Sequence, residues 1–173
     1  ISLSHVTLTS GLANPEPFTT NEITADDTSI ILLLHCNGNS DDSSSQALEN
    51  SATVAPNYIA DGRFIGAAHF NGLDSNSNYL QFNDNDVFDF GTDQDFSVSF
   101  WFKKTTENGS REMLFIDRGG IDGWNIQLEN NSLGVVYATD SWHQFGVSGF
   151  DQYFDGQWHN IAVNFDRDGD AVI

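Results

Sequence analysis

The sequence predicts an all-β protein whose strands form two antiparallel sheets, packed face to face as a sandwich. Three observations favour this class. Short apolar runs of strand length are separated by clusters of Asn, Asp, Gly and Ser. Residues 95–104 alternate strictly, with Phe96, Val98, Phe100 and Phe102 on one face. No window carries an apolar stripe of period 3.6 long enough for a stable helix.

The predicted elements follow one another closely, without the spacing of a βαβ unit. About nine strands are expected from the apolar runs and their turn signals. They are residues 29–36, 66–70, 78–82, 95–104, 112–117, 123–129, 133–138, 144–148 and 157–165. One helical turn is predicted at residues 86–90.

The N-terminal stretch differs from the rest of the chain. Residues 1–28 are rich in Thr, Ser and Asn, contain Pro15 and Pro17, and have no sustained period. We predict that they form an arm or linker and that the sandwich occupies residues 29–173. A short extended piece at residues 5–9 is available for pairing with another strand.

Both chain ends suggest a larger protein. Residues 166–170 contain an Asp-Gly step typical of a hairpin turn, which follows the predicted strand 157–165. The chain ends three residues into the partner strand, which would leave a hydrophobic edge unpaired. We therefore expect closing strands after Ile173, and further sequence before Ile1.

The charge balance excludes some classes of partner. The chain has 25 acidic and 6 basic residues, a net charge of −19. Such a field repels nucleic acid and anionic membrane surfaces. The acidity favours solubility, and its functional interpretation is attraction of Ca²⁺ or other cations. No apolar run approaches the roughly 20 residues that cross a bilayer.

The chain has a single cysteine, Cys36, so no intrachain disulfide can form. Cys36 lies in the apolar run at residues 30–36. A buried structural thiol is therefore expected there rather than a reactive one.

Four segments, in this order and spacing, carry a family resemblance. They read Leu-Leu-Leu-His-Cys-Asn-Gly at 32–38, Gly-Arg-Phe-Ile-Gly-Ala-Ala-His-Phe-Asn-Gly at 62–72, Asp-Phe-Ser-Val-Ser-Phe-Trp-Phe-Lys at 95–103 and Asp-Gly-Gln-Trp-His-Asn-Ile-Ala at 155–162. The chain resembles the laminin-G-like modules of the concanavalin-A-like lectin/glucanase superfamily over about residues 29–173. The resemblance implies a jelly roll of two curved antiparallel sheets. Core packing is the simpler interpretation of Trp101 and Trp158.

The superfamily includes glycoside hydrolases, which require two carboxylates about 5 Å apart for the retaining mechanism. Acids spaced by two occur at Asp84/Asp86, at Asp93/Asp95 and in the 166–170 turn, all in turns or at strand ends. The His residues show no zinc-binding spacing. We predict no catalytic residues and no enzymatic activity, with catalytic acids on the expected closing strands as the alternative.

Many modules of this superfamily bind Ca²⁺ at one edge of the sandwich, and the resemblance therefore implies Ca²⁺ as a cofactor. Ca²⁺ takes six to eight hard oxygen ligands. The candidate ligands are Asn37, Asn71, Asp74, Asp84 and Asp86. Taken singly, each is explained more simply by an Asx turn or a solvated loop.

Candidate ligand-binding residues lie in or beside the longer loops. They are Trp142, His143, Tyr153 and Arg118. Aromatic faces stack on the apolar faces of sugars, and polar groups nearby orient the hydroxyls. The alternative for each residue is a packed loop.

Three functional hypotheses follow. The first is a non-catalytic recognition or adhesion module of an extracellular, cell-surface or virion fibre protein, which binds a glycan or a protein. The second is a purely structural subunit of a viral or filament assembly, in which the arm and an edge strand pair with neighbouring subunits. The third is a glycoside hydrolase or lyase.

Overall fold

The computed structural model describes residues 2–10, 28–71, 78–83, 86–91, 93–106, 111–117, 123–138 and 142–167. The strands are β1 (Ser2–Ser10), β2 (Ile30–Leu34), β3 (Asn57–Ile59), β4 (Ala67–His69), β5 (Phe96–Lys103), β6 (Glu112–Asp117), β7 (Trp124–Glu129), β8 (Ser132–Ala138), β9 (Trp142–Ser148) and β10 (His159–Phe165). Two short 3₁₀ turns, Asp86–Phe88 and Phe150–Tyr153, complete the described elements.

The strands form two antiparallel sheets, which confirms the predicted fold class. The larger sheet has the order β10-β5-β1-β4-β3, and β2 also pairs with β1. The smaller sheet has the order β6-β7-β8-β9. Apolar side chains from both sheets meet in one core, because each strand turns its apolar face towards the other sheet.

The core is centred on Phe96 of β5. Its ring stacks between those of Phe90 and Phe165, with ring centroids 4.0 and 4.1 Å away. Trp124 of the smaller sheet approaches Phe96 at 5.1 Å. Phe96 therefore contacts its own sheet, the loop before β5 and the opposite sheet, and it is fully buried.

A buried arginine connects the two sheets at this end of the core. The backbone N–H of Arg167 donates to Asp95 Oδ1 at 2.9 Å, beside β5. The Arg167 guanidinium donates to the carbonyl of Gly91 and, at 2.6 Å, to that of Ala138 in β8. It also lies 5.4 Å from the centroid of the Tyr137 ring. Arg167 thus stabilises the edge where β10 ends.

The N-terminal strand differs from the prediction of an arm outside the sandwich. β1 lies inside the larger sheet, paired with β5 on one side and with β2 and β4 on the other. Leu3, Val6 and Leu8 are buried in the core. The sequence does not indicate this strand, because Ser4 and Thr7 are polar residues of the kind found in linkers. Both side chains are nevertheless buried. The extended piece at 5–9 does pair, while the start of the domain along the chain stays a prediction.

Two other elements differ from expectation. The predicted strand 78–82 contains only an isolated bridge between Phe82 and Asn50, because its backbone hydrogen bonds go to the loop at 51–54. β3, which has only three residues, is not among the strands predicted from the sequence.

The predicted helical turn at 86–90 is the 3₁₀ turn Asp86–Phe88. Most of the predicted hairpin turn at 166–170 lies outside the described residues.

The loop between β3 and β4 is closed by two glycines. A Cβ on Gly62 would collide with the carbonyl oxygen of Gly66. A Cβ on Gly66 would lie 2.9 Å from the Cα of Asn37 and 3.0 Å from the carbonyl oxygen of Cys36. Ser4 Oγ donates to the same Gly66 carbonyl at 2.9 Å. Only glycine permits these approaches, so the loop is pinned to β1 and to the end of β2.

Replacing Phe96 by Ala is expected to lower the free energy of unfolding by about 3–5 kcal/mol, because it leaves a cavity between the sheets. Phe64→Ala removes the same ring at a position that is 58% exposed, and it is expected to lower that free energy by no more than about 1 kcal/mol, through its lost contacts with Arg63 and Trp101. Urea unfolding followed by Trp fluorescence measures both. Similar losses in the two variants would contradict the assignment of Phe96 to the core.

Burial raises the pKa of the Cys36 thiol from an ordinary value of 9.0 to about 11, although its hydrogen bond with the Ala68 backbone acts in the opposite direction. We therefore expect slow alkylation by iodoacetamide at pH 8 in the folded protein and fast alkylation in urea. Because the pKa of the Cys36 thiol is higher in the folded state, the protonated thiol contributes fully to the free energy of unfolding below pH 9. This contribution is lost as the pH rises towards 11. Equal alkylation rates in both states would refute a buried thiol.

Gly62→Ala is expected to destabilise the protein by about 1–3 kcal/mol, because backbone atoms must move to admit the new methyl group. Gly134→Ala in β8 is the matched control, since the nearest atoms to its methyl group would be those of the Gln127 side chain, at the ordinary contact distance of 3.4 Å. Thermal unfolding compares the two. A harmless Gly62→Ala would show that the loop is not closed by this contact.

Candidate interaction surface

The described Ca²⁺ candidates have local roles in loops. The backbone N–H of Asn71 donates to Asn78 Oδ1 at 2.8 Å, which joins the two ends of the segment between them. Asn37 is exposed directly after Cys36, and Asp86 begins a 3₁₀ turn. Asp74 and Asp84 lie outside the described residues. In the ranges that the structure describes, no cluster of three His, Cys, Asp or Glu side chains could hold a metal ion. The Ca²⁺ site stays a prediction.

Two of the four ligand candidates have described side chains, and they lie apart. His143 stacks on Tyr137 at 5.1 Å, and Tyr137 contacts Phe165 at the end of β10. Tyr153 packs against His159 at the start of β10, at 5.2 Å. The two ends of a strand of this length are about 20 Å apart. His143 and Tyr153 therefore do not belong to one compact site.

The other two ligand candidates give less information. The backbone of Trp142 begins β9, but its side chain is outside the described atoms, as is the whole of Arg118. Their role as ligand-binding residues stays a prediction.

The segment 155–162 that carried part of the family resemblance begins with a turn-forming unit. Asp155 Oδ1 lies 2.9 Å from His159 Nε2 and accepts the Gln157 N–H at 2.8 Å. These hydrogen bonds, first from His159 and then from Gln157, lower the pKa of Asp155. The N–H of Gly156 donates to the Lys104 carbonyl at 2.9 Å. This unit therefore holds the turn before β10 against the end of β5.

The strand glutamates of the smaller sheet are engaged with cations. Glu112 of β6 pairs with Lys104 at 2.7 Å, in a site where both side chains are largely buried. Glu129 of β7 pairs with Arg111 at 3.0 Å. The register pairs Glu112 with Leu128, so Glu112 and Glu129 lie on opposite faces of the smaller sheet.

A different surface brings aromatic, aliphatic and basic side chains together. It lies on the outer face of the larger sheet, where β5 turns its outward side chains towards the loop between β3 and β4. We name this surface the aromatic–basic patch. It consists of Asp61, Arg63, Phe64, Ile65, Trp101, Lys103 and Trp158.

Arg63 organises one half of the patch. Its guanidinium carbon lies 4.7 Å from the centroid of the Trp101 ring and 5.4 Å from that of Phe64. The Phe64 ring meets Trp101 edge-on, with centroids 6.1 Å apart and an interplanar angle of 85°. Cation–π contacts of this kind contribute about 0.5–1 kcal/mol at exposed sites. They hold the three side chains in one arrangement.

Lys103 organises the other half. Its ammonium nitrogen lies 2.7 Å from Asp61 Oδ2 and 5.9 Å from the centroid of the Trp158 ring. The ion pair is exposed on the Asp61 side, where the side chain is 74% accessible. Such a pair stabilises the fold by no more than about 1 kcal/mol. Lys103 therefore remains available to a partner at small cost.

The patch also holds the most exposed large apolar side chains of the described part of the chain. Phe64 is 58% exposed and Ile65 is 71% exposed. They stand next to each other on the loop closed by Gly62 and Gly66. The loop geometry therefore presents them to solvent in a fixed position.

Sequence reasoning missed this surface, although one signal was present. The alternation of residues 95–104 places Trp101 and Lys103 opposite the buried Phe residues. The tendency of Trp to be buried favours core packing instead, whereas Trp101 is half-buried on the outer face. Arg63, Phe64 and Ile65 were noticed only within the family motif, because nothing local indicates that their loop meets β5.

One of the comparisons with known proteins, a match to a family model, agrees with this fold. A family model described as the concanavalin A-like lectin/glucanases superfamily, of the laminin-G type, matches residues 74–173. The chain is similar to the protein "Non-toxic nonhemagglutinin type E" of Clostridium botulinum, with 24% identity over 107 residues. That alignment covers 62% of this chain and 9% of the relative's length. No solved structure gives a significant match. Since the family model covers more than half of the chain, the protein belongs to the concanavalin A-like lectin/glucanases superfamily, as a laminin-G-type domain.

Proposed function

We propose that this domain is a non-catalytic recognition module that binds its partner through the aromatic–basic patch. The observation that carries the proposal is the joint exposure of Phe64 and Ile65 beside Arg63 and Trp101. Leaving apolar surface in water costs about 25 cal/mol per Å², and contiguous exposed apolar patches mark interaction sites.

The composition of the patch supports this role. Aromatic residues and Arg are enriched at the centres of protein interfaces and dominate binding energies. Arg63 and Lys103 are two of only 6 basic residues in a chain of net charge −19. The patch therefore differs in charge from the acidic surface that the rest of the chain is expected to present.

The two alternative functions receive less support. A hydrolase needs a carboxylate pair, while Glu112 and Glu129 are each paired with a cation. A structural subunit that exchanges its N-terminal arm needs an available β1, while β1 is paired on both sides within its own chain. Membership of the superfamily leaves both open, because fold does not determine function.

The setting we propose is an extracellular, cell-surface or virion protein, and the partner is a glycan or a protein. The curated relative's name describes that relative as neither toxic nor a haemagglutinin, and the chain spans 9% of its length. In the described part of the chain, no helix is long and apolar enough to span a bilayer. Ca²⁺ bound by Asn37, Asn71, Asp74, Asp84 and Asp86 remains part of the proposal.

The proposal is tested by presenting the purified protein to a glycan array, with and without Ca²⁺, and to a displayed library of random short peptides. We expect at least one ligand that binds the wild type and loses about tenfold or more in affinity with the double variant Phe64→Ser/Ile65→Ser. Ile116→Ser is the matched control, because Ile116 is 44% exposed on the smaller sheet. The patch would be refuted as the binding surface if every ligand bound the wild type and the double variant equally, or if neither library contained a ligand.

A further inference from the structure

We infer that the partner of the aromatic–basic patch is a protein segment that combines apolar side chains with carboxylates, rather than a glycan. The inference rests on the proposed function, because it assigns a chemical class to the partner of the same surface. Three features of the patch support it: the side chains that contact the Trp101 ring, the chemistry of the exposed residues, and the charges of Arg63 and Lys103.

The first feature is that the indole of Trp101 already has a partner. Sugar recognition uses an open aromatic face on which a pyranose ring stacks. The Arg63 guanidinium lies over that ring at 4.7 Å, and the Phe64 ring meets it edge-on. A sugar would have to displace a cation that is held by two aromatic rings. Trp101 therefore supports the loop instead of offering a stacking platform.

The second feature is the kind of side chain that is exposed. Ile65, with 71% of its surface accessible, has neither a flat aromatic face nor a polar atom for orienting hydroxyl groups. Together with Phe64 it forms an exposed apolar pair. A hydrophobic pocket or groove of a protein buries such side chains, and their removal from water stabilises the complex.

The third feature is charge complementarity. No carboxylate pairs with Arg63 among the residues that the structure describes, and Lys103 holds Asp61 only in an exposed pair. Both cations can therefore form ion pairs with carboxylates of a partner, beside the exposed apolar pair of Phe64 and Ile65. Two copies of this chain, each of net charge −19, repel each other at low ionic strength. A separate segment with local acidic residues fits better than a second copy.

The loop is also arranged before binding. The contacts of Gly62 with Gly66, and of Gly66 with Asn37 and Cys36, fix the backbone on either side of Phe64 and Ile65. The hydrogen bond from Ser4 Oγ at 2.9 Å anchors the loop to the central strand. A pre-ordered loop loses little conformational freedom on association. Such a loop can present Phe64 and Ile65 to a partner without first rearranging.

The experiment selects peptides from the random short-peptide library on the wild-type protein, after removal of peptides that bind Phe64→Ser/Ile65→Ser. We expect the enriched peptides to combine aromatic or aliphatic residues with Asp or Glu. Ile65→Ser should weaken their binding about tenfold or more. Arg63→Gln should weaken it about three- to tenfold at low salt, with a smaller effect at high salt, because rim charges are screened.

Two control variants match these changes on another face. Ile116→Ser removes a comparable apolar side chain, which is 44% exposed. Arg111→Gln removes a cation whose side chain is 56% exposed. Each is expected to leave peptide affinity within about twofold of the wild type, since surface substitutions elsewhere contribute little. Circular dichroism and thermal unfolding are used to check that all variants are folded.

The contrary outcomes separate this inference from the proposed function. Patch-dependent binding to array glycans without any patch-dependent peptide would overturn the inference and leave the recognition module standing. Enriched peptides that lack acidic residues, or that ignore Arg63→Gln, would also overturn it. A dimer in sedimentation experiments that Ile65→Ser dissociates would assign the patch to a second copy. Absence of any patch-dependent ligand in both libraries would refute the proposed function itself.

Discussion

Strand β5 is the element on which both the core and the patch depend, because its two faces carry opposite kinds of side chain. Phe96, Phe100 and Phe102 are fully buried between the sheets, while Trp101 and Lys103 face outwards. A strand alternates with a period of two, so a slip of one residue in pairing would exchange the faces completely. β1 and β10 pair with β5 on either side and hold the register. The arrangement that fills the core thus also fixes the aromatic and basic side chains outside.

The central position of β1 connects the core to the loop of the patch. On one side of β1, Leu3 and Leu8 are buried in the core. On the other side, the buried Ser4 hydroxyl donates to the Gly66 carbonyl, which accounts for a polar residue inside the sheet. A buried hydroxyl is costly without a partner, so this bond stabilises both the strand and the loop. Gly62 then closes the loop, on which the Phe64 ring is 58% exposed.

Family membership identifies the fold of the domain, and individual side chains determine its function. The motif around Asp155 and His159 forms a turn, and the glutamates Glu112 and Glu129 form ion pairs. Each of these groups therefore has a structural role in the described part of the chain. Ile65 is 71% exposed, so most of its apolar surface is not used to stabilise the described part of the fold. This contrast is why the patch supports a recognition function better than the motif residues do.

The sequence by itself determined the fold class, the family, the buried state of Cys36 and the two faces of β5. These properties are local, since alternation and burial of an apolar run need no knowledge of distant residues. Only the tertiary structure decided that β1 belongs to the larger sheet and that His143 and Tyr153 lie apart. It also decided that Arg63 lies over Trp101, which is far from it along the chain. Such contacts depend on which strands pair and on how loops close, and the periodicity of a single strand does not encode either.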